Sequence, residues 1–286
     1  MSERHLLIGL IGRNIQNSLS PALHEDAFAA AKLRGYYHLM DLDLLPDRTL
    51  PNLIAAVRVV GFVGLNITYP FKEAVLPLLD EVTLEARQIG AVNSITIDGA
   101  GRMVGHNTDR IGFRRSFEET IGRTAIADRD VALVGAGGAG RAVAFALLDL
   151  GAASVLVHDK DAARATALVA GLIEHCGRGR SRLIENPDTE LPEACGRVNA
   201  TPIGMLGIPG NPIAPDAIRP HHWVADIIYT PLETELIKTA RIKGARVLTG
   251  GGMCIHQVVA AFALFTGIVP DVDRMRRIFA KAVAAT

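Results

Sequence analysis

The chain has 286 residues, 49% hydrophobic and 21% charged, which is long enough for about two globular domains and too apolar for a disordered protein. Lysine plus arginine balances aspartate plus glutamate at 30 each, with no basic stripe, so we expect no nucleic-acid partner. No apolar run approaches the roughly 18 residues that a transmembrane helix needs, so we expect no membrane partner.

The cysteines and histidines bear on compartment and on metal binding. Cys176, Cys195 and Cys254 lie far apart, with neither metal-binding nor redox spacing, which is typical of a reducing compartment. The apolar patch near the N-terminus is too short for a signal peptide, and no small-residue cleavage site follows it. The nine histidines form no ligand-like cluster. We therefore expect a cytoplasmic protein that holds no metal.

The first 110 residues alternate between strand-like and helix-like segments. The predicted strands are HLLIGLI (5–11), YYHLMDL (36–42), FVGLNIT (62–68) and AVNSITID (91–98). The predicted helices cover 20–35, 50–61 and 72–90, the first with Ser20 at its N-cap and the second closed by Gly61. This alternation indicates an α/β domain with a mostly parallel sheet.

Polar residues cluster where the third predicted strand ends, in GLNITYPFK. Asn66 and Thr68 share one face of that strand, because side chains alternate with period 2, and Lys72 opens the next predicted helix. A strand end whose polar side chains meet water is one interpretation. A binding site is the other, and the rest of the chain decides between them.

A new unit begins at Val131, where VALVGAGGAGRAVAFALLDLGAASVLVHDK predicts a strand, a glycine turn, a helix and a second strand. Further strands are predicted at 182–185, 197–200, 223–229 and 245–249, an ordered loop or flap at 202–220, and closing helices at 251–267 and 272–285. We therefore predict an α/β protein of two domains. Residues 1–110 form the first, completed by 251–286, and 111–250 form a Rossmann-type domain.

The glycines of the new unit have the G-x-G-x-x-G spacing of dinucleotide-binding turns. Gly135 permits the tight turn, Gly137 lets a pyrophosphate approach the backbone, and Gly140 lets the helix pack close to the strand. A glycine turn without a ligand is the alternative, but the flanking strand and helix favour NAD(P) binding at the helix N-terminus. The predicted contact residues are Gly135, Ala136, Gly137, Gly138, Ala139 and Gly140.

The residues after the second strand of this unit bear on the choice of cofactor. Asp159 lies where an acidic residue bonds the ribose 2′-OH of NAD and disfavours the 2′-phosphate of NADP. Lys160 and Arg164 are close enough to favour NADP instead, and Arg164 is a predicted cofactor contact. A turn aspartate that caps the next helix is another interpretation of Asp159. We expect NAD, with NADP as the alternative.

Three polar clusters lie outside the glycine unit. Ser18 and Ser20 stand at a predicted helix start, where hydroxyls and free N–H groups suit a carboxylate, although capping alone explains Ser20. The second cluster is that of GLNITYPFK. The third comprises Asn93, Asn107, Thr108 and Asp109, of which Thr108 or Asp109 is expected to cap a helix. Together they suit a small acid with several hydroxyl groups.

These segments resemble, in order, those of the shikimate/quinate dehydrogenase family. The matching segments are NSLSPALH, GLNITYPFK, GAVNS, GHNTDRIGF, VGAGGAGRA, VNATPIGM, DIIYTPLET and GGMCIHQ, and they cover nearly the whole chain. The resemblance implies an enzyme that oxidises the C3 hydroxyl of shikimate or quinate with NAD or NADP and needs no metal. It also implies that the N-terminal domain binds the substrate and carries the catalytic residues.

The resemblance assigns a role to each matching residue. Ser18 and Ser20 would hold the substrate carboxylate. Lys72 and Asp109 would form the catalytic pair beside the reacting hydroxyl. A lysine accepts a proton only when neutral; desolvation favours that form and a carboxylate opposes it, which leaves the ionisation of Lys72 open. The other matching positions are Thr68, Asn93, Asp109, Tyr229 and Gln257 for the substrate, and Thr201 and Met253 for the cofactor.

The chain resembles most the NAD-dependent quinate/shikimate branch of the family. Asp159 replaces a basic phosphate-binding stretch, and LFTGIVPDVDRMRRIF looks like that branch. Ser20 departs from the threonine of some quinate-active relatives, so we expect shikimate to be the better substrate. The alternatives are an NADP-dependent biosynthetic enzyme, a non-catalytic sensor of a dinucleotide and a small acid, and a dehydrogenase of an amino or folate compound. We expect a monomer or a homodimer.

Overall fold

A computed structural model of the chain describes residues 5–45, 47–189 and 194–284. They divide into two compact units. The first unit comprises residues up to Thr108 together with those from Ile255 onward, and the second comprises Asp109–Cys254. The outer ends of the predicted N-terminal domain, residues 1–4 and 285–286, lie outside the described residues. Within the described part of the chain, no helix has both the length and the apolar character to cross a membrane.

The first unit is built on one sheet. Its strands are β1 (His5–Gly12), β2 (Arg34–Asp41), β3 (Gly64–Ile67), β4 (Glu81–Val82), β5 (Ser94–Ile97) and β6 (Met103–His106). Its helices are α1 (Ser20–Ala30), α2 (Leu50–Val60), α3 (Leu84–Ile89), the part of α8 (Gly250–Thr266) from Ile255 onward, and α9 (Val272–Ala284). The strand order is β2-β1-β3-β5-β6-β4.

The sheet of the first unit is mostly parallel, as expected, and β5 is the strand that runs against the other five. β1 is parallel to β2 and β3, as expected, but β5 is antiparallel to both β3 and β6. Strand β6 was not predicted, and only the short segment 98–102 joins it to β5, a connection that permits antiparallel pairing alone. The carboxyl ends of β1, β3 and β6 therefore share one edge of the sheet with the amino end of β5. We call this the polar edge.

Helix α2 has a capping residue at each end. The Thr49 side chain accepts a hydrogen bond from the Asn52 backbone, Asn52 reciprocates, and Gly61 ends the helix in the left-handed region at φ 87°. The helix predicted over 50–61 is thus confirmed. Its apolar face, with Leu53, Ile54 and Val57, is buried in the core of the first unit.

The single helix predicted over 72–90 is wrong. Lys72 lies in a turn, a 3-10 turn covers Leu76–Leu78, and β4 and α3 follow. Pro77 has no N–H to donate and its ring clashes with the preceding turn, so a long helix cannot pass through it. Helix α3 has its own N-cap, Thr83, whose side chain accepts a hydrogen bond from the Ala86 backbone.

The end of the chain completes the core of the first unit. Arg274 of α9 donates two hydrogen bonds to the Asp26 carboxylate of α1, at 2.6 and 2.8 Å. The Phe262 ring of α8 packs against the Phe28 ring of α1, with 5.2 Å between centroids. Both closing helices predicted from the sequence are confirmed, and Phe28 and Phe262 are almost completely buried.

The second unit is a doubly wound parallel sheet. Its strands are β7 (Val131–Val134), β8 (Val155–His158), β9 (Ser181–Leu183), β10 (Gly196–Asn199), β11 (Trp223–Asp226) and β12 (Arg246–Leu248). Its helices are α4 (Asp109–Thr120), α5 (Gly138–Asp149), α6 (Ala162–Cys176), α7 (Glu235–Ile242) and the start of α8. The order β12-β11-β10-β7-β8-β9 is that of the Rossmann fold, with the chain reversing direction across the sheet between β7 and β10.

The predicted segments of the second unit are found with small shifts. The strands expected near 182, 197, 223 and 245 correspond to β9–β12. Residues 202–220, predicted as an ordered loop, contain one 3-10 turn, Pro215–Ala217, and bury Ile213 and Ile218. Trp223, expected to pack, is 2% exposed and lies edge-on to the Phe117 ring at 4.8 Å between centroids.

Candidate active site

The loop after β1 carries the two predicted carboxylate-binding serines. Ser18 and Ser20 are half-buried, and the Ser18 hydroxyl accepts a hydrogen bond from the Ser20 backbone at 3.3 Å. Helix α1 begins at Ser20 itself, after Leu19, and no side chain caps it. The prediction of Ser20 as the N-cap is therefore wrong by one residue. The Ser20 hydroxyl, which does not cap the helix, has no hydrogen-bond partner among the described residues.

Thr68 stands beside this loop at the polar edge. Its backbone N–H donates to Ile11 at 3.0 Å, which fixes the residue after β3 against β1. A Cβ added to Gly12 would lie 2.4 Å from the Thr68 Cγ2 atom, so only glycine permits this approach. Within the described part of the chain the Thr68 hydroxyl has no hydrogen-bond partner. Lys72 follows in the next turn, half-buried, and its carbonyl accepts a hydrogen bond from the Val92 backbone at 2.8 Å.

Asn93 is the centre of a hydrogen-bond cluster at the polar edge. Its Nδ2 donates to Thr108 Oγ1 at 2.9 Å and to Gln257 Oε1 at 3.4 Å. Its Oδ1 accepts from the Thr108 backbone at 2.7 Å. Asn93 and Thr108 are buried, whereas Gln257, on α8, is half-buried. The fold thus brings together three polar residues from segments that are distant in the sequence.

Asn66 has a structural role in this cluster. Its Oδ1 accepts a hydrogen bond from the Tyr37 hydroxyl at 2.9 Å, and its Nδ2 donates to Ser94 Oγ at 3.1 Å and to the Asn93 carbonyl at 3.3 Å. The His24 ring stacks on Tyr37 at 4.6 Å, and burial lowers the pKa of His24 to about 3, so this ring is neutral near pH 7. Asn66 is therefore bonded within the protein, which contradicts the interpretation that it is a strand-end residue facing water.

Asp109 opens helix α4 in the second unit. It is 1% exposed, and the chain enters it from Thr108, the last residue of the first segment of the first unit. The preceding Asn107 is also buried, and its Nδ2 donates to the Ala91 carbonyl at 3.0 Å. Helix α4 begins at Asp109, and the Thr108 side chain bonds to Asn93 and Ser94, so a cap by Thr108 or Asp109 stays a prediction.

The glycine turn between β7 and α5 shows a separate reason for each glycine. Gly135 has φ 108°, and a Cβ there would lie 2.7 Å from the Ala200 backbone. A Cβ on Gly140 would lie 2.0 Å from the Gly135 carbonyl oxygen. A Cβ on Gly137 would have only Arg164 Nη1 within 4 Å, at 3.9 Å. The space at Gly137 is therefore open, and no side chain caps α5, which suits a phosphate group.

Asp159 is held against this turn. Its Oδ2 accepts a hydrogen bond from the Ala136 backbone at 2.7 Å, and its Oδ1 accepts one from the Asp161 backbone at 2.9 Å. The helix cap considered for Asp159 is instead Asp161, whose side chain accepts from the Ala163 and Arg164 backbones at the start of α6. Asp159 thus places a half-buried carboxylate beside the glycine turn at the end of β8.

Arg164 is a basic residue beside the glycine turn. Its guanidinium lies within reach of Gly137 and pairs at 3.7 Å with the Asp161 carboxylate. Lys160 is exposed. Any group bound at the end of β8 would therefore meet two carboxylates, Asp159 and Asp161, as well as Arg164.

The segment after β10 carries Thr201, the predicted cofactor contact. The Thr201 backbone and hydroxyl both donate to Asn199 Oδ1, at 2.9 and 2.7 Å. Asn199 is fully buried, and its Nδ2 donates to Asp226 Oδ1 at 3.1 Å. The other predicted residues of this unit lie elsewhere: Tyr229 is half-buried after β11, and Met253 is buried on α8.

Comparisons with known proteins identify the family. A model described as the shikimate dehydrogenase substrate binding domain matches residues 10–95. The quinate/shikimate dehydrogenase (NAD(+)) of Corynebacterium efficiens is 46% identical over 283 residues, which cover 98% of this chain and 99% of that protein. The chain belongs to the shikimate dehydrogenase family. The motif resemblance is thereby confirmed.

Other members of the family differ in cofactor. The shikimate dehydrogenase (NADP(+)) of Streptomyces avermitilis is also 46% identical, over 280 residues, 96% of this chain and 95% of that protein. The structure of quinate dehydrogenase from Corynebacterium glutamicum in complex with NAD matches with a TM-score of 0.89 and 42% identity, over 97% of this chain and 100% of that one. This similarity confirms the predicted α/β class.

Two buried aspartates of this family member were missed in the sequence. Asp41 and Asp226 each end a strand and bond to a segment that carries predicted site residues. An acidic residue at the end of an apolar strand was the available signal. In residues 5–45, 47–189 and 194–284, no group of three or more histidine, cysteine, aspartate or glutamate residues is arranged to hold a metal ion.

Proposed function

We propose that this protein oxidises the C3 hydroxyl of shikimate with NAD to give 3-dehydroshikimate, and that it oxidises quinate to 3-dehydroquinate more slowly. The observation that carries the proposal is the polar edge of the first unit. There the hydroxyls of Ser20 and Thr68, which lack partners among the described residues, share one sheet edge with the Asn93–Gln257 amides. Open hydroxyls and amides at one edge suit a small polyhydroxy acid.

The two units divide the task in this proposal. The first unit, which corresponds to the predicted domain 1–110 completed by 251–286, binds the substrate, and the match of residues 10–95 to a substrate-binding model supports this. The second unit, which corresponds to the predicted Rossmann-type domain 111–250, binds the dinucleotide, and the open space at Gly137 and the uncapped start of α5 support this. The cofactor, when bound, supplies the nicotinamide that accepts a hydride from C3.

The chain's own residues bind the acid and handle its proton. Ser18 and Ser20 hold the carboxylate at the start of α1, where the helix dipole favours an anion. Thr68, Asn93 and Gln257 bind ring hydroxyls, with Tyr229 as a further contact, and Thr201 and Met253 contact the cofactor. Lys72 takes the proton of the C3 hydroxyl, and Asp109 orients the amine and the substrate.

Asp159 favours NAD over NADP. Its carboxylate, held by the Ala136 backbone, accepts a hydrogen bond from a ribose 2′-OH and repels a 2′-phosphate. The neighbouring Asp161 adds to that repulsion and offsets the charge of Arg164. The position of Arg164 beside Gly137 favours the second candidate, an NADP-dependent shikimate dehydrogenase, and rates with both cofactors decide between the two.

The deciding experiment measures initial rates of NADH or NADPH formation with shikimate and quinate, each with NAD and with NADP. We expect the highest kcat/KM with shikimate and NAD. A strong preference for NADP would show that Arg164, not Asp159, governs the choice. No turnover with either acid would contradict the proposed activity and favour a non-catalytic sensor.

Lys72→Ala tests the proton role. We expect kcat to fall about 10²–10⁴-fold, the range that general acid–base groups contribute, with NAD affinity unchanged. Glu73→Ala, a change at the next half-buried residue of the same turn, is the matched control. Near-normal turnover in a folded Lys72→Ala protein that binds NAD would contradict the role.

We also propose that the protein is cytoplasmic and forms a monomer or a homodimer. The three free cysteines support a reducing compartment. Light scattering of the purified protein measures the oligomeric state.

A further inference from the structure

The two serines lie on a loop whose shape is fixed at one buried side chain. Residues 13–20, which we call the serine loop, join β1 to α1. The loop turns sharply at Asn14, which has φ 52° in the left-handed region. Its first N–H, from Arg13, donates to the Tyr69 carbonyl at 3.1 Å. The next two backbone N–H groups both point at Asp41.

Asp41 is the last residue of β2 and pairs with Gly12, the last residue of β1. It is 3% exposed. Its Oδ1 accepts hydrogen bonds from the Asn14 and Asp43 backbones, both at 3.1 Å. Its Oδ2 accepts from the Ile15 backbone at 3.0 Å and from Gln16 Nε2 at 3.1 Å. Both oxygens are therefore used, and three of the four donors belong to the serine loop.

The bonds continue from Asp41 to the serines in two steps. Asp41 binds the Ile15 N–H, and the carbonyl of the same residue accepts a hydrogen bond from the Ser18 N–H at 2.9 Å. The Ser18 hydroxyl then accepts the Ser20 N–H at 3.3 Å. The Ile15 and Leu19 side chains are buried, which fixes the same loop from its apolar side. The position of both hydroxyls thus depends on the turn at Asn14–Gln16.

We propose that Asp41 is a positioning residue for substrate binding: its carboxylate holds the serine loop in the shape that presents Ser18 and Ser20 to the substrate's carboxylate. The inference rests on the proposed function. Asp41 does not itself meet the substrate, since its oxygens are taken by the loop. Pre-organisation of this kind lowers the cost of ordering the loop on binding, so it acts on affinity. The hydrogen bonds to Asp41 outweigh the effect of burial and lower its pKa, which keeps all its acceptors available at neutral pH.

The test is Asp41→Asn, which keeps the size of the side chain but turns one acceptor oxygen into a donor. We expect the KM for shikimate to rise about tenfold, in line with the loss of hydrogen bonds to a charged group, and kcat to stay within about twofold. The KM for NAD should not change. Asp98→Asn is the matched control. Asp98 Oδ1 accepts from the Ala100 and Arg102 backbones, at 2.8 and 2.9 Å, in the turn between β5 and β6, at the edge of the sheet opposite the polar edge.

A second readout separates this inference from the proposed function. Amide hydrogen exchange over residues 13–20 should be faster in Asp41→Asn and unchanged in Asp98→Asn. Faster exchange with a raised KM supports the inference; an unchanged KM, with or without faster exchange, overturns it. Absence of shikimate turnover in the wild-type protein would overturn the proposed function, and exchange alone would then decide whether Asp41 holds the loop. If Asp41→Asn does not fold, Gln16→Ala removes one of the four bonds. A KM raised about two- to threefold then supports the inference, and an unchanged KM contradicts it.

Discussion

Two buried aspartates hold equivalent segments in the two units, by different means. Asp41 ends β2 and bonds to the loop that follows the neighbouring strand β1. Asp226 ends β11 and bonds through Asn199 to Thr201, in the segment after the neighbouring strand β10. In both parallel pairs, a carboxylate at the end of one strand fixes the segment that follows the neighbouring strand.

The donors around the two carboxylates set their charge. Burial raises the pKa of Asp41, but its four donors, three of them backbone N–H groups, outweigh burial and bring the pKa below the usual range. Burial raises the pKa of Asp226 to about 6, against one backbone N–H, from Ile228, and two side-chain donors, Thr234 and Asn199. The hydrogen bonds to Asp41 thus outweigh burial, whereas those to Asp226 do not, and Asp226 keeps its proton to a higher pH than an ordinary aspartate.

The largest expected effect comes from Asp226→Asn. A pKa raised from 3.8 to about 6 means that the folded state holds a proton that the unfolded state releases, so wild-type stability falls as pH rises from about 4 to about 6. This loss of unfolding free energy is up to about 3 kcal/mol. The asparagine variant does not show it, because its amide does not titrate. In urea unfolding, the variant should match wild type near pH 4 and exceed it at pH 8. A stability difference that does not change with pH would contradict the raised pKa.

Asp41→Asn should change stability in the opposite direction, with the variant less stable than wild type at neutral pH. Because the folded-state pKa is lowered, the stabilisation is present above the unfolded value near 4 and is lost as pH falls through the folded value. We expect the variant to be less stable than wild type by about 2 kcal/mol at pH 7, with the gap closing below about pH 4. Urea unfolding at the same pH values measures it. A gap that widens on acidification would show that Asp41 is not held as a carboxylate.

Asn199→Ala should give the smallest of the three effects, and it separates the two ligands. It removes the acceptor of both Thr201 donors, so the KM for NAD should rise about tenfold while the KM for shikimate stays constant, the reverse of Asp41→Asn. Asn52→Ala, at the cap of α2, is the control for loss of an asparagine side chain elsewhere. Equal changes in both KM values would contradict a role of Asn199 that is confined to the cofactor.

The features that were predictable from sequence are local ones. Within the turn, Gly135 is required by its φ of 108° and Gly140 by its approach to the Gly135 carbonyl, and the spacing of the glycines indicates both. The helix over 50–61 has both of its end signals within the segment. The helix predicted over 72–90 was wrong because Pro77 interrupts a helix, whatever the apolar periodicity around it.

Most of the features that were missed depend on contacts between residues that are distant in the sequence. The direction of β5 is an exception, because it follows from the short 98–102 connection to β6, a strand that was not predicted. Asp41 and Asp226 look in the sequence like polar ends of apolar strands, because the donors that link them to the site segments, Gln16 and Asn199, lie 25 and 27 residues away. The serine pair was found, but the wrong residue was assigned to the helix start, since Ser18 receives the Ser20 N–H only once the loop has folded.

The discontinuity of the first unit has a consequence during synthesis. Its core needs Phe262 against Phe28, and its last helix is tied to the first by Arg274 and Asp26. A ribosome therefore releases β1–β6 long before the helices that complete them. The second unit, continuous from Asp109 to Cys254, is available as a whole before those helices emerge. We therefore expect the second unit to fold before the first is complete, the reverse of the usual order in which the N-terminal domain folds first. We expect Phe28 to remain without its Phe262 contact, and so open to chaperones, until α8 has been synthesised.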